Sequence, residues 1–147
     1  MITKSFKEYN SIEGSVVTIG TFDGIHLGHQ DIIHKLQEIS NKKKLKSIVL
    51  SFFPHPKIVL QNSTDIKLIN TLDEKVEILK KYNIDYFIIK EFTKKFSRLT
   101  ALEFVRDILV NTLNAKHLII GYDHHFGRNR GANIIQLREF GEIYDFE

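Results

Sequence analysis

Two histidines three residues apart, His26 and His29, stand in the run Val16-Val17-Thr18-Ile19-Gly20-Thr21-Phe22-Asp23-Gly24-Ile25-His26-Leu27-Gly28-His29. The run opens as a β-branched strand, breaks at Gly20, turns through Phe22-Asp23-Gly24 and enters a helical pattern near Leu27. A glycine-rich strand-to-helix turn collects bare backbone N–H groups and the positive end of a helix at one spot, which suits a phosphate. Two histidines in a first helical turn share a face. An imidazole N–H can donate to a phosphate oxygen whether the ring is neutral or charged. The same pair can begin a metal site, which takes a third and a fourth ligand; none is assigned.

Two further stretches concentrate reactive side chains. Phe52-Phe53-Pro54-His55-Pro56 ends an apolar run with two prolines, which force an extended turn and leave His55 at the carboxyl end of a strand. Ligands of open α/β sheets bind at that end. Gly121-Tyr122-Asp123-His124-His125-Phe126-Gly127-Arg128-Asn129-Arg130-Gly131 packs two histidines, two arginines, an aspartate and three glycines into one loop. By contrast, Lys42-Lys43-Lys44-Leu45-Lys46 reads as a solvated helix end whose cations complement the dipole.

The elements that must position these residues alternate. After a polar lead-in over 1–14, with room for a short edge strand, come a strand from Val16 and a helix over Gln30–Asn41 with Ile32, Ile33, Leu36 and Ile39 on its buried face. A second strand spans Ser47–Phe53. The capping-box spacing of Thr71 and Glu74 opens a helix to Lys80 or Tyr82, and Asp85–Ile89 is a third strand. A second capping box, Thr100 and Glu103, opens a helix to about Leu113 with Leu102, Val105, Ile108 and Leu109 inward. His117–Ile120 is a fourth strand, and a last helix runs to about Gly141. Ile143–Glu147 begins a fifth strand that is left incomplete.

Strands alternating with helices predict an α/β fold, a Rossmann-like parallel sheet with helices on both faces. Counted from Val16, the strand order 3-2-1-4-5 makes the first and fourth strands neighbours at the topological switch point. The loop bearing His26 and His29 and the loop bearing Asp123 and Arg128 then meet in one crevice.

Composition narrows the function. A chain of 147 residues is expected to be a single domain with a sizeable core. The net charge of +3 suits anionic small molecules, and the scattered basic residues do not form a nucleic-acid stripe. Cysteine is absent, which excludes disulfides and thiolate metal sites. No apolar run approaches the ~20 residues of a membrane helix, and Met1–Phe6 lacks a signal-peptide core, so no membrane association and a cytoplasmic location are expected.

The string G-T-F-D-G-I-H-L-G-H resembles the H-x-G-H signature of the nucleotidyltransferase superfamily. In its fuller form it is similar to the FMN adenylyltransferase (FAD synthetase) domain, the N-terminal half of bacterial bifunctional riboflavin kinase/FAD synthetases. Phe52–Pro56 matches that family's F-x-P-H-P signature. Gly121, Asp123, Phe126 and Gly127 match its G-x-D-F-x-F-G signature, with His124 where the family usually has phenylalanine. The resemblance implies AMP transfer from ATP to FMN, giving FAD and pyrophosphate, with Mg²⁺ accompanying ATP. It implies catalytic roles for His26 and His29. ATP would be held by Gly20, Thr21, Phe22, Asp23, Gly24, His26, Gly28 and His29, and the flavin by His55, Leu60, Asp123, Phe126 and Arg128. No dedicated protein metal site is implied.

The family carries a further I-S-S-T-x-I-R motif and a riboflavin kinase domain beyond this point. The expectation is therefore one nucleotidyltransferase domain over 1–147, truncated at its C-terminus, with the riboflavin kinase domain absent and turnover impaired. The rival readings are a non-catalytic nucleotide- or flavin-binding fragment and a related nucleotidyltransferase with another phosphorylated acceptor.

Overall fold

Val16, Val17 and Ile19 are buried on both sides of their strand, as a central parallel strand requires. The computed structural model describes residues 1–20, 27–53, 72–120, 134–144 and 146. Its elements are β1 (Ile2–Ser5), β2 (Ser15–Ile19), α1 (Leu27–Lys43), β3 (Lys46–Phe53), α2 (Leu72–Lys80), β4 (Tyr86–Glu91), a 3₁₀ turn (Phe96–Arg98), α3 (Ala101–Val110), β5 (Ala115–Ile119) and α4 (Ile134–Tyr144).

The five strands form one all-parallel sheet in the order β1-β4-β3-β2-β5. The expected run 3-2-1-4 is thus present as β4-β3-β2-β5. The fifth strand differs from expectation: Ile143 and Tyr144 end helix α4, and the sheet is completed at its other edge by Ile2–Ser5, paired with Tyr86–Ile89. A short run of aromatic and β-branched residues after a helix does not reveal by itself that the helix continues through it. Phe146 folds back instead: its N–H donates to the Gly141 carbonyl at 3.0 Å.

Alternation along the strands sends side chains to two cores. Val17, Ile19, Ile48, Leu50 and Ile88 pack with Val105, Leu109 and Leu137 on the α3 and α4 side. Val16, Val49 and Phe87 pack with Ile33, Leu36 and Leu79 on the α1 and α2 side. Helix α1 buries Ile33 and Leu36 fully, with Ile32 and Ile39 at the margin of the same face, and leaves its last residues, 41–44, in solvent.

Helix α3 corrects a second expectation. Thr100 and Glu103 do form a reciprocal capping box, with Thr100 Oγ1 accepting from the Glu103 N–H at 3.2 Å and Glu103 Oε1 accepting from the Thr100 N–H at 3.0 Å. After one α turn, however, residues Phe104–Val110 wind as a π-helix, and the N–H groups of Asn111 and Leu113 reach back five residues to Arg106 and Ile108. The wider turn puts Phe104, Val105, Ile108 and Leu109 on one buried face. It turns Leu102, expected inside, away from that face to 42% exposure.

Candidate functional site

Because every strand is parallel, all carboxyl ends lie along one edge of the sheet, and there the strands end at different heights. Ile19 of β2 pairs with Leu50 of β3, and Thr18 of β2 pairs with Ile119 of β5, so β2 and β5 stop together. Strand β3 continues to Phe53, which pairs with Glu91 of β4, and the Phe92 N–H donates to the Phe53 carbonyl at 3.0 Å. Three extra residues raise β3 and β4 about 10 Å above β2 and β5. Among the described residues, β3 and β4 thus stand as a wall above the ends of β2 and β5, which form a floor.

The wall is aromatic. On the α3 side, the Phe52 ring lies 5.8 Å from Phe92 and 5.7 Å from Phe96, and Phe96 lies 6.1 Å from Phe104, all tilted or edge-on. The Lys90 ammonium stands 5.0 Å from the Phe96 centroid and 5.2 Å from that of Phe6. Burial pushes its pKa down, with Glu91 opposing and Lys7 adding to the effect. On the α1 side, Phe53 is about half exposed. Sequence patterning had not singled out Lys90, Phe92 or Phe96; the spacing of Phe92 and Phe96 is the one signal that could have found the pair.

The floor is β2. Gly20 carries the last ladder bond, its N–H donating to the Leu50 carbonyl at 3.0 Å. Helix α1 starts at Leu27, so Gly28 and His29 lie in its first turn, whose N–H groups have no partner within the helix. No acidic residue occupies that turn, and Lys42 and Lys43 close the other end, so the α1 dipole favours negative charge at its start. Thr18 of β2 is 1% exposed, and among the described residues its Oγ1 has no hydrogen-bond partner.

Of the residues singled out from sequence, Gly20 is at the end of β2, and Gly28 and His29 are in the first turn of α1. Thr21, Phe22, Asp23, Gly24, His26, His55, Leu60, Asp123, Phe126 and Arg128 lie outside the described residues, as does Thr71 of the first capping box. The strands that lead into the three motif-bearing stretches are nonetheless fixed. They are β2, β3 and β5, and they are consecutive in the sheet.

An all-parallel sheet whose interior strand β2 leads on to helix α1, beside β5 at the switch point, defines a Rossmann-like α/β protein. The FAD synthetase family profile matches residues 8–147, and the chain belongs to that family. It is 41% identical over 142 residues to the bifunctional riboflavin kinase/FMN adenylyltransferase of Buchnera aphidicola subsp. Acyrthosiphon pisum, covering 97% of this chain and 45% of that one. It is 34% identical over 132 residues to an FAD synthetase of Listeria monocytogenes, covering 89% of this chain and 53% of that one. The chain thus spans about half the length of the curated relatives it matches. Among solved structures, a macrolide-efflux protein from Streptococcus pneumoniae superimposes with a TM-score of 0.85 at 29% identity, over 95% of this chain and 47% of that one. Among the described residues, no helix is long and apolar enough to cross a membrane.

Proposed function

We propose that residues 1–147 form an FMN adenylyltransferase domain that transfers AMP from ATP to FMN, giving FAD and pyrophosphate. The observation that carries this reading is the placement of β2, β3 and β5 side by side. These strands lead into the G-T-F-D-G-I-H-L-G-H, F-F-P-H-P and G-Y-D-H-H-F-G stretches, which supports their meeting at one crevice, in a chain whose family membership spans nearly its whole length.

The chemistry needs no covalent enzyme intermediate. An oxygen of the FMN phosphate forms a bond to the α-phosphorus of ATP, the bond from that phosphorus to the bridging oxygen breaks, and pyrophosphate leaves with the electron pair. Catalysis is alignment and charge stabilisation. His26, His29 and the N–H groups of the first α1 turn hold the triphosphate and meet the charge that grows on its oxygens. Gly20, Thr21, Phe22, Asp23, Gly24 and Gly28 let the nucleotide lie close to the backbone. ATP enters as its magnesium complex, with the metal carried on substrate phosphates.

His55 and Arg128 meet the FMN phosphate, Asp123 the polar edge of the flavin, and Phe126 and Leu60 its ring face. The aromatic step of β3 and β4 gives this half of the crevice an apolar wall. The relatives named as bifunctional also carry riboflavin kinase, a reaction whose product is the acceptor proposed here. The proposed setting is the cytoplasm.

The test incubates the chain with ATP, Mg²⁺ and FMN and separates the flavins by chromatography, beside a His26→Ala/His29→Ala variant. FAD from the unaltered chain alone supports the reading. Binding of ATP and FMN with no FAD from folded protein favours a binding module instead.

A further inference from the structure

We propose that the amino edge of the sheet carries a second ligand site, for a small phosphorylated sugar, in the polar cavity between the end of α1 and the turn that leads into β4. The inference goes beyond the adenylyltransferase reading and does not rest on it.

The cavity holds about 340 Å³ and is lined by Gln37, Ser40 and Asn41 of α1 and by Asn83 and Asp85 of the turn before β4. That volume lies within the range of small-molecule sites, about 300–1,000 Å³. Topology brings its two walls together. Strands β2, β3 and β4 are parallel neighbours, so α1 and α2 both run back from the carboxyl edge and end at the amino edge. Both pack on one face of the sheet, through Ile33, Leu36 and Leu79. The His34 and Tyr82 rings, 5.7 Å apart, mark where α1 meets the turn after α2. Residues 37, 40 and 41 share one face of α1 by helical spacing.

The lining says what fits. All its side chains are polar, which disfavours an apolar ligand and suits one that carries hydroxyls. Asp85 is anchored by the buried Ser47, whose N–H and hydroxyl donate to Oδ2 at 2.9 and 3.2 Å. Among the described residues every hydrogen bond to this carboxylate goes to Oδ2, which leaves Oδ1 to accept from a ligand. The Ser40 hydroxyl donates to the Gln37 carbonyl at 2.9 Å, so its oxygen keeps lone pairs for a second donor. The amides of Gln37, Asn41 and Asn83 can both donate and accept. A carboxylate that accepts from hydroxyls, beside amides that donate back to them, is the set of groups a sugar requires.

The rim supplies charge. Helix α1 closes on Lys42 and Lys43, followed by Lys44, and α2 closes on Lys80, followed by Lys81. All of these lysines are exposed. In the sequence they form two separate groups, each complementing the dipole of its own helix. The fold sets the two groups on either side of one cavity. The carboxylates nearby are Glu38, exposed on α1, Glu77, which pairs with Lys80 at 3.1 Å, and Glu13, which pairs with Lys46 at 3.8 Å. Lysine ammonium groups attract phosphate as point charges. The rim therefore takes the phosphate and the cavity the sugar hydroxyls.

Calorimetric titration of the unaltered chain with ribose 5-phosphate, ribose and inorganic phosphate tests the assignment. Ribose 5-phosphate is expected to bind at least about tenfold more tightly than either part alone. Gln37→Ala/Asn41→Ala removes two amides at helix positions where alanine is well tolerated. It is expected to weaken ribose 5-phosphate about tenfold and to leave FAD formation unchanged. Asp85→Asn keeps an acceptor for Ser47 and adds a donor in place of Oδ1, with a similar loss expected. Lys42→Ala/Lys81→Ala is expected to weaken ribose 5-phosphate about threefold and ribose not at all. His26→Ala/His29→Ala is expected to leave the binding of ribose 5-phosphate unchanged, because those residues belong to the other edge.

No binding of ribose 5-phosphate overturns the proposal, as does full affinity in Gln37→Ala/Asn41→Ala. Inorganic phosphate bound as tightly as the sugar phosphate overturns it too, since surface charge alone would then account for the binding. Loss of binding in His26→Ala/His29→Ala places the probe at the carboxyl edge and has the same force. A failure to form FAD overturns the functional reading and leaves this one standing.

Discussion

At the amino edge of the sheet, Ser47 and Asp85 exchange three hydrogen bonds: the Ser47 N–H and Oγ donate to Asp85 Oδ2 at 2.9 and 3.2 Å, and the Asp85 N–H donates to Ser47 Oγ at 2.8 Å. At the carboxyl edge Thr18, as deeply buried as Ser47, has no such partner among the described residues. The strands at the amino edge are entered by tight turns, each holding a residue at positive φ: Lys44 before β3, Asn83 before β4 and Asn114 before β5. At the carboxyl edge the strands end at unequal heights, a helix start faces outward and aromatic rings line the step. At the first edge Ser15, Ser47 and Asp85 bond within the chain and stabilise the fold. At the second, in the function proposed here, the helix start and the aromatic step serve a ligand. Local frustration of this kind concentrates where a protein binds and reacts.

The sharpest way to break this comparison is to remove chemistry from the carboxyl edge and look for a loss of stability. His26→Ala/His29→Ala is expected to lower the rate of FAD formation by about 10²–10³-fold, the range for losing a donor that meets developing charge. Its denaturant midpoint is expected to stay close to that of the parent. A large fall in the midpoint would mean that this edge, too, holds the fold.

The converse change is Asp85→Ala. It strips the Ser47 N–H and hydroxyl of their shared carboxylate and is expected to cost about 2–3 kcal/mol in urea unfolding, as for a lost hydrogen bond to a charged group. Removing Ser47 Oγ as well is expected to cost less than the two single changes added, because the two groups satisfy each other. MgATP affinity per folded molecule is expected not to move.

The contrast was only half legible in the sequence. β-branched runs separated by amphipathic segments announced the alternation, and with it the adjacency of β2 and β5, the strands that lead into the two densest motifs. The spacing of Thr100 and Glu103 announced their capping box. The π winding of α3 was hidden, because a helix that widens its turn keeps an ordinary helical composition and only its buried face shifts, from Leu102 to Phe104. The fate of Ile143 was hidden because Ile-Tyr at a helix end and at a strand start look alike. At the site, His26 and His29 stood out by type and spacing. Thr18 did not: a threonine among valines reads as one more β-branched strand residue, and that its Oγ1 lacks a partner among the described residues is seen only in the packing. The height difference between β3 and β2 likewise belongs to pairing register, not to any local pattern.

A smaller effect separates the edges by pH. Glu103 Oε1 accepts the Thr100 N–H, and this bond first, with the Thr100 hydroxyl beside the carboxylate second, holds the carboxyl below the usual glutamate range. A carboxyl lowered in the folded state contributes stability that is full above its unfolded pKa and lost as pH falls through the lower folded value. Glu103→Gln keeps an acceptor for the cap without the titration, so the melting temperature of the parent is expected to fall more steeply in acid than that of the variant. Thr100→Ala, which removes the cap itself, is expected to cost about 1 kcal/mol near neutral pH.

The smallest expected effect tests whether the amino-edge turns are optimised, as that comparison implies. Lys44 sits at φ 56°, where its Cβ is strained, and the following Leu45 N–H donates to the Ser40 carbonyl at 3.0 Å to close helix α1. A left-handed non-glycine residue costs about 1–2 kcal/mol, and glycine would remove that strain at the expense of about 0.5–1 kcal/mol of extra chain entropy. Lys44 also places a cation near the carbonyl end of the helix, worth about 0.3 kcal/mol at an exposed site. Lys44→Gly is therefore expected to stabilise the chain by about 0.5 kcal/mol, read as a small rise in urea midpoint with unchanged slope. Asn114, at φ 51°, is the control: its side chain donates Nδ2–H to the Ile12 carbonyl at 2.8 Å, so Asn114→Gly relieves strain but forfeits that bond and is expected to gain nothing. A gain at Asn114 as large as at Lys44 would show that the hydrogen bond to Ile12 adds no stability, and that the amino edge is less finished than its geometry indicates.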